Sequence, residues 1–231
     1  MKRVIAFSLM IFIYACGPKS KMSECKLKTI EVGDYIFDFP SDFELVTEKG
    51  IDSYVGKIKG DSMQFGFDYG YYSNSLGKTL PEYLLDSQWK YNLPYLFMKE
   101  GITYDQTNMP KVNILEIRSA TSKDSIIGHG CDYVAKCEHD NLEFDYAIYI
   151  PENIKKMNFY IDTVDNQYRK IVWAKDSYKG LTGIYIKDIN GFNSSINNYL
   201  ALSMATNNLS KEQQDVVLKI LKTARRKRKS E

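Results

Sequence analysis

The 231-residue chain is poor in the residues that most enzymes rely on. It has two histidines, two tryptophans, four cysteines and six prolines. Two histidines leave little material for imidazole acid–base chemistry or a histidine-built metal site. No GxSxG, HExxH or GxxxxGK[ST] pattern occurs, so a serine-hydrolase elbow, a zinc-protease helix and a P-loop all go unsupported. Charge of one sign is not in excess: 31 Lys and Arg face 29 Asp and Glu. That balance gives no support to a nucleic-acid-binding body. Residues 29–224 contain no repeat, long linker or low-complexity tract.

One apolar run stands out, and it lies at the start. Lys2 and Arg3 precede residues 4–15, where Ser8 and the Tyr14 hydroxyl are the only polar groups. A spanning helix needs about 20 apolar residues, so this run is too short. A basic start, a short apolar stretch and a small residue before the cut describe a secretory signal peptide. Ile13-Tyr14-Ala15-Cys16 closely resembles the lipobox of bacterial lipoproteins. The resemblance implies a diacylglyceryl group on the Cys16 sulfur, cleavage after Ala15 and acylation of the new amino terminus. One acyl chain holds only reversibly and two or more anchor stably, so the expected partner is a membrane, reached through Cys16. Gly17 stands where inner-membrane retention is associated with Asp, so an outer-membrane address is expected in a diderm host.

The rest of the chain divides into a polar tether (16–28), a single domain (29–224) and a basic tail (225–231). Loss of Lys2 and Arg3 leaves acidic and basic residues equal in number, with Lys222 and Arg225 to Lys229 crowding the end. Alternating aromatic and β-branched residues, broken by Gly, Pro and Asp, predict strands at 35–39, 43–47, 53–58 and 63–69. Thr79-Leu80-Pro81-Glu82 is a capping box and predicts a helix to about Asn92. Strands resume at 112–118, 126–138, 142–150, 157–163, 168–174, 184–187 and 199–204. Ser210-Lys211-Glu212-Gln213 is a second capping box, followed by Val216, Val217, Ile220 and Leu221 at helical spacing.

Strands, helix, many strands, helix is the order of an α+β fold, with helices packed on a mostly antiparallel sheet. The segments Lys49-Gly50-Ile51-Asp52-Ser53-Tyr54-Val55-Gly56, Lys179-Gly180-Leu181-Thr182-Gly183-Ile184-Tyr185 and Leu209-Ser210-Lys211-Glu212-Gln213-Gln214 resemble small lipoproteins of Bacteroidetes. More distantly, the element order is similar to the PsbP/Mog1-like family. That likeness implies a single α/β/α-like sandwich, a fold that hosts unrelated functions.

Both histidines and two cysteines fall within residues 129–139. His129, Cys131, Cys137 and His139 could supply a tetrahedral zinc site. In one extended strand, however, they spread over about 30 Å, and no metal or other cofactor is expected. Cys131 and Cys137 would lie about 20 Å apart, beyond the ~7 Å limit of a disulfide. Any bridge would need Cys25, and buried thiols are expected instead. A Cys131–His129 nucleophile lacks an orienting group and an oxyanion site. Glu143, Asp145 and Asp68 could pair as glycosidase carboxylates only across a cleft that sequence does not define.

A binding surface fits better. Tyr69, Tyr71, Tyr72 and Asn74 could stack on sugar or grip a partner, and Trp173 beside Lys179-Gly180 could flank a phosphate-accommodating loop. The basic tail could touch anionic headgroups, though a solvated helix end is the simpler expectation. The expectation is a lipid-anchored envelope protein with a binding or accessory role toward an envelope protein or glycan. A hydrolase with an unrecognised site and a structural envelope component are the alternatives.

Overall fold

The computed structural model of the protein describes residues 26–86, 89, 112–139, 141–175 and 180–227. The expected signal peptide, Cys16, Cys25, most of the expected helix at 87–92, Lys179 and the last four residues lie outside the described residues.

The chain opens with β1 (Leu27–Val32) and β2 (Tyr35–Pro40). Gly33 turns between them at φ 58°, with the Tyr69 ring lying over it. A Cβ there would come within 2.3 Å of that ring, so the turn is restricted to glycine. β3 (Glu44–Glu48), β4 (Tyr54–Lys59) and β5 (Gln64–Gly70) form a meander. Next come α1 (Leu80–Leu85), β6 (Asn113–Ser119), a 3₁₀ turn (Ser122–Ile126), β7 (Tyr133–His139) and β8 (Leu142–Ile148). A four-residue α2 (Glu152–Lys155) leads into β9 (Met157–Val164), β10 (Gln167–Ala174), β11 (Leu181–Asn193) and β12 (Asn198–Asn207). α3 (Lys211–Lys222) and a two-residue β13 (Arg225–Arg226) close the fold.

All pairings between these strands are antiparallel. The main sheet has seven strands in the order β3-β4-β5-β12-β11-β10-β9, so β5 joins the early meander to the late one. β1-β2-β13 and β6-β7-β8 form two three-stranded sheets. One core lies on the main-sheet face that carries Phe65, Phe67, Ile171, Ile184, Ile186, Leu202 and Met204. Phe37 and Phe39 of β2 and Val217, Ile220 and Leu221 of α3 close it from above. Phe39 meets Phe65 edge-on at 5.4 Å and Phe43 at 5.3 Å. Each side chain buried this fully contributes about 1.5–3 kcal/mol. A second core gathers Trp89, Ala135, Cys137, Ile148, Ile150 and Ile154, with Leu80, Tyr83 and Leu84 of α1 packed on it.

The α/β/α-like sandwich expected from element order is not what forms. Strand makes up 53 % of the described residues and helix 16 %, a β-rich fold. The reason lies in what covers the main sheet. On one face α3 shares the cover with the β1-β2-β13 sheet, built partly from Leu27 and Lys28 at the expected tether and from Arg225 and Arg226 of the expected tail. On the other face a crossing segment, residues 71–79, and the six-residue α1 stand where a helical layer was expected. The described part of that helix closes at Asp86, whose N–H donates to the Glu82 carbonyl. No helix among the described residues is long and apolar enough to cross a membrane.

Candidate functional site

β9 and β10 are joined by the two-residue turn Asp165-Asn166, with φ of 50° and 59°. Positive φ at both central positions matches the twist of a tight hairpin. The turn sets Val164 opposite Gln167, and from that register Asp162 falls opposite Arg169, Tyr160 opposite Ile171 and Asn158 opposite Trp173. Because side chains alternate across a strand, these pairs share the face under α3.

α3 lies over β11 and leaves that face of the outer two strands only partly covered, with Ile171 of β10 buried and Tyr160 of β9 exposed. The result is a cleft of about 430 Å³ lined by Tyr160, Asp162, Arg169, Ile171, Trp173, Ile184, Leu218, Leu221 and Lys222. That size suits a small ligand. Its floor is aliphatic, Trp173 forms an aromatic wall, and charge is confined to the rim. Arg169 is occupied: Nε donates to Asp162 Oδ1 at 2.7 Å, Nη2 to Oδ2 at 2.5 Å and Nη1 to the Ala224 carbonyl at 3.4 Å. The guanidinium hydrogen bonds hold the Asp162 carboxyl below its ordinary range, against the opposing effect of burial. Lys222, exposed at the end of α3, adds a cation to the rim.

The other expected binding residues are scattered. Tyr69 points into the first core, edge-on to Tyr35 at 6.2 Å. Burial, reinforced by Asp34, pushes its phenol pKa upward, so Tyr69 is a packing residue over Gly33. Asn74 Oδ1 accepts from the Leu76 N–H at 2.8 Å, which shapes the crossing segment and seats Leu76 over Gly183. Asn74 lines a separate hollow with Met157 and Phe159. Tyr71 is half-buried and Tyr72 exposed in the turn after β5. None of the four reaches the Trp173 cleft.

The 126–138 strand is shorter than expected. A 3₁₀ turn and the Gly130 bend come first, and β7 begins at Tyr133. His129 and half-buried Cys131 therefore sit in a turn, and buried Cys137 lies within the sheet. No group of three His, Cys, Asp or Glu among the described residues is arranged to hold a metal ion.

A second constellation, unmarked in the sequence, lies on the opposite face of the main sheet. Lys170 is 1 % exposed. Its Nζ donates to the Gly77 carbonyl at 2.7 Å and to Glu82 Oε2 at 3.1 Å. Glu82 also accepts from the Thr79 N–H at 2.7 Å and from the Tyr168 hydroxyl at 3.0 Å. Burial lowers the Lys170 pKa, with only partial offset from Glu82. Burial of Glu82 works to raise its own pKa, but Thr79, Lys170 and Tyr168 together bring it below the ordinary value. Beside this pair, Lys187 Nζ lies 5.2 Å from the Tyr168 ring centre and 4.8 Å from that of Tyr199. With its bonds satisfied, the Lys170 pair ties the crossing segment and α1 to the sheet.

No protein-family model matches the chain, and no curated protein matches it.

Proposed function

We propose that the chain is a lipid-anchored cell-envelope protein that binds a ligand or partner without transforming it, with the lipid on Cys16 and the ligand in the Trp173 cleft. The anchoring rests on Ile13-Tyr14-Ala15-Cys16 placed behind a basic start and a short apolar run. The carrying observation for binding is the cleft itself: an aliphatic floor, the aromatic rings of Trp173 and Tyr160, and an Arg169–Asp162 pair closed on itself at the rim. Such a lining recognises shape and apolar surface. Placement at the outer membrane of a diderm host follows from Gly17 after the lipidated cysteine.

Two measurements test the two halves. Mass spectrometry of the mature amino terminus is expected to find an acylated Cys16, and Cys16→Ala is expected to leave the particulate fraction. An unmodified terminus refutes the anchor. For the cleft, the apolar anion 1-anilinonaphthalene-8-sulfonate is expected to bind at one site, and Trp173→Ala should weaken it at least tenfold, about 1.4 kcal/mol. Equal binding by the variant moves the site elsewhere.

A further inference from the structure

β9 ends the main sheet, and no strand among the described residues pairs with its outer side. Edge strands are usually guarded by lysine, proline, inward charge or a bulge, because their free N–H and C=O groups invite another strand. The opposite edge strand, β3, is exposed along its whole length and carries Glu44 and Glu48, of which Glu48 is paired with Lys57 at 2.7 Å. β9 has no such guard. Its eight residues, MNFYIDTV, include no Lys, Pro or Gly. They pair with β10 in one unbroken register from Met157–Ala174 to Val164–Gln167. Tyr160, Ile161 and Val164 are 50 %, 44 % and 40 % exposed. The one charge, Asp162, is neutralised by Arg169.

The strand's own pattern favours a second copy as the occupant. Two sheets that continue each other about a two-fold axis keep their faces, so each residue meets one of the same parity and the axis passes through a residue. An axis at Asp162 would set two carboxylates against each other. At Tyr160 or Ile161 it opposes no like charges: Tyr160 meets Tyr160 or Asp162, and Ile161 meets Phe159 or Ile161. The even-numbered face is also the face of the Trp173 cleft, whose outer wall is Tyr160 and Asp162. A second β9 would stand its Tyr160 at the open side of that cleft.

We propose that β9 is a self-association edge: two copies pair β9 antiparallel, and each lends Tyr160 to the cleft of the other. The loan of Tyr160 rests on the binding reading of the cleft; the strand pairing does not. A single strand pair buries less than the roughly 1,600 Å² of a standard interface, so the pairing is weak in dilute solution and fills where copies are concentrated.

Cysteine cross-linking of the full-length chain in membranes of expressing cells tests this. A residue opposite itself has Cβ atoms about 4.5–5.5 Å apart, close enough for a disulfide after small adjustment. Under mild oxidant, Tyr160→Cys or Ile161→Cys should give a reducible dimer above the background of the native chain. Leu45→Cys on β3, 37 % exposed, should not. Adding Ile161→Lys to Tyr160→Cys should abolish the dimer without changing the melting temperature; Val164→Lys serves if it does change. No dimer from either cysteine overturns the proposal, as does an equal dimer from Leu45→Cys or one that survives the lysine. Dye binding without cross-linking keeps the cleft and removes the pairing, whereas cross-linking without dye binding does the reverse and removes only the loan of Tyr160.

Discussion

Lys170 shows how unequal the two halves of one ion pair can be. Its side chain is 1 % exposed, whereas that of Glu82 is 37 % exposed. Removing the carboxylate leaves a buried ammonium held by the Gly77 carbonyl. Removing the ammonium leaves a carboxylate that water can still reach. Breaking a fully buried pair by removing one partner typically costs about 3–5 kcal/mol, because the other charge is left buried and unpaired. Partial solvation places Glu82→Gln below that range, at about 2 kcal/mol, while Lys170→Met leaves only a carboxylate that water reaches and should stay within about 1 kcal/mol of the native protein. Urea unfolding of both variants measures the difference, and equal losses would refute the asymmetry. Glu82 was legible in sequence as the fourth and last residue of the Thr79-Leu80-Pro81-Glu82 capping box. Lys170 was not, because its burial depends on a partner 88 residues away in the chain.

Among the elements, β13 departs furthest from expectation. The basic residues after α3 suggested a solvated end, yet Arg225 and Arg226 pair with Ile36 and Tyr35 of β2. Arg225 grips Asp38 with both Nη groups, at 2.8 and 2.9 Å. Arg226 Nη2 reaches Asp188 Oδ2 at 2.7 Å, and the Lys227 N–H donates to the Asp34 carbonyl at 2.9 Å. Asp188 has a side chain only 7 % exposed, so Arg226→Ala strands a buried charge. A loss of about 2 kcal/mol is expected, with partial recovery in Arg226→Ala/Asp188→Asn. Thermal melts check both, and an unchanged single variant would return the segment to a solvated tail. The strands were largely legible because period-two alternation and turn residues are local signals. The register that builds the cleft was not read: the expected strands stop at Thr163 and resume at Tyr168, and the structure shows that Asp165-Asn166 is the two-residue turn that fixes every opposite pair.

For the molecule as a whole, the perturbed carboxylates predict how it responds to acid. Arginine hydrogen bonds hold Asp38 and Asp162 below their ordinary pKa, and Glu82 is lowered as well, its partners outweighing burial. A carboxylate depressed in the folded state binds fewer protons there than when unfolded. Its contribution is therefore complete above the unfolded value, about 4, and is lost as pH falls through the lower folded value. Stability should be nearly flat from pH 7 to about 5 and decline below about 4. Asp38→Asn should flatten that decline while lowering stability at pH 7. Chemical denaturation at a series of pH values measures this, and a native-like acid slope in the variant would remove Asp38 from the account.

The sequence by itself determined most strands and both capped helix starts, because each is written in neighbouring residues, and it carries the short apolar run before Ile13-Tyr14-Ala15-Cys16 on which the proposed anchor rests. The tertiary structure decided the layers, the turn at Gly33 that makes Tyr69 a core residue, the Lys170–Glu82 tie and the open flank over β9 and β10. These depend on which surfaces meet across long chain separations. There, burial and the need to satisfy buried polar groups override what any local pattern prefers.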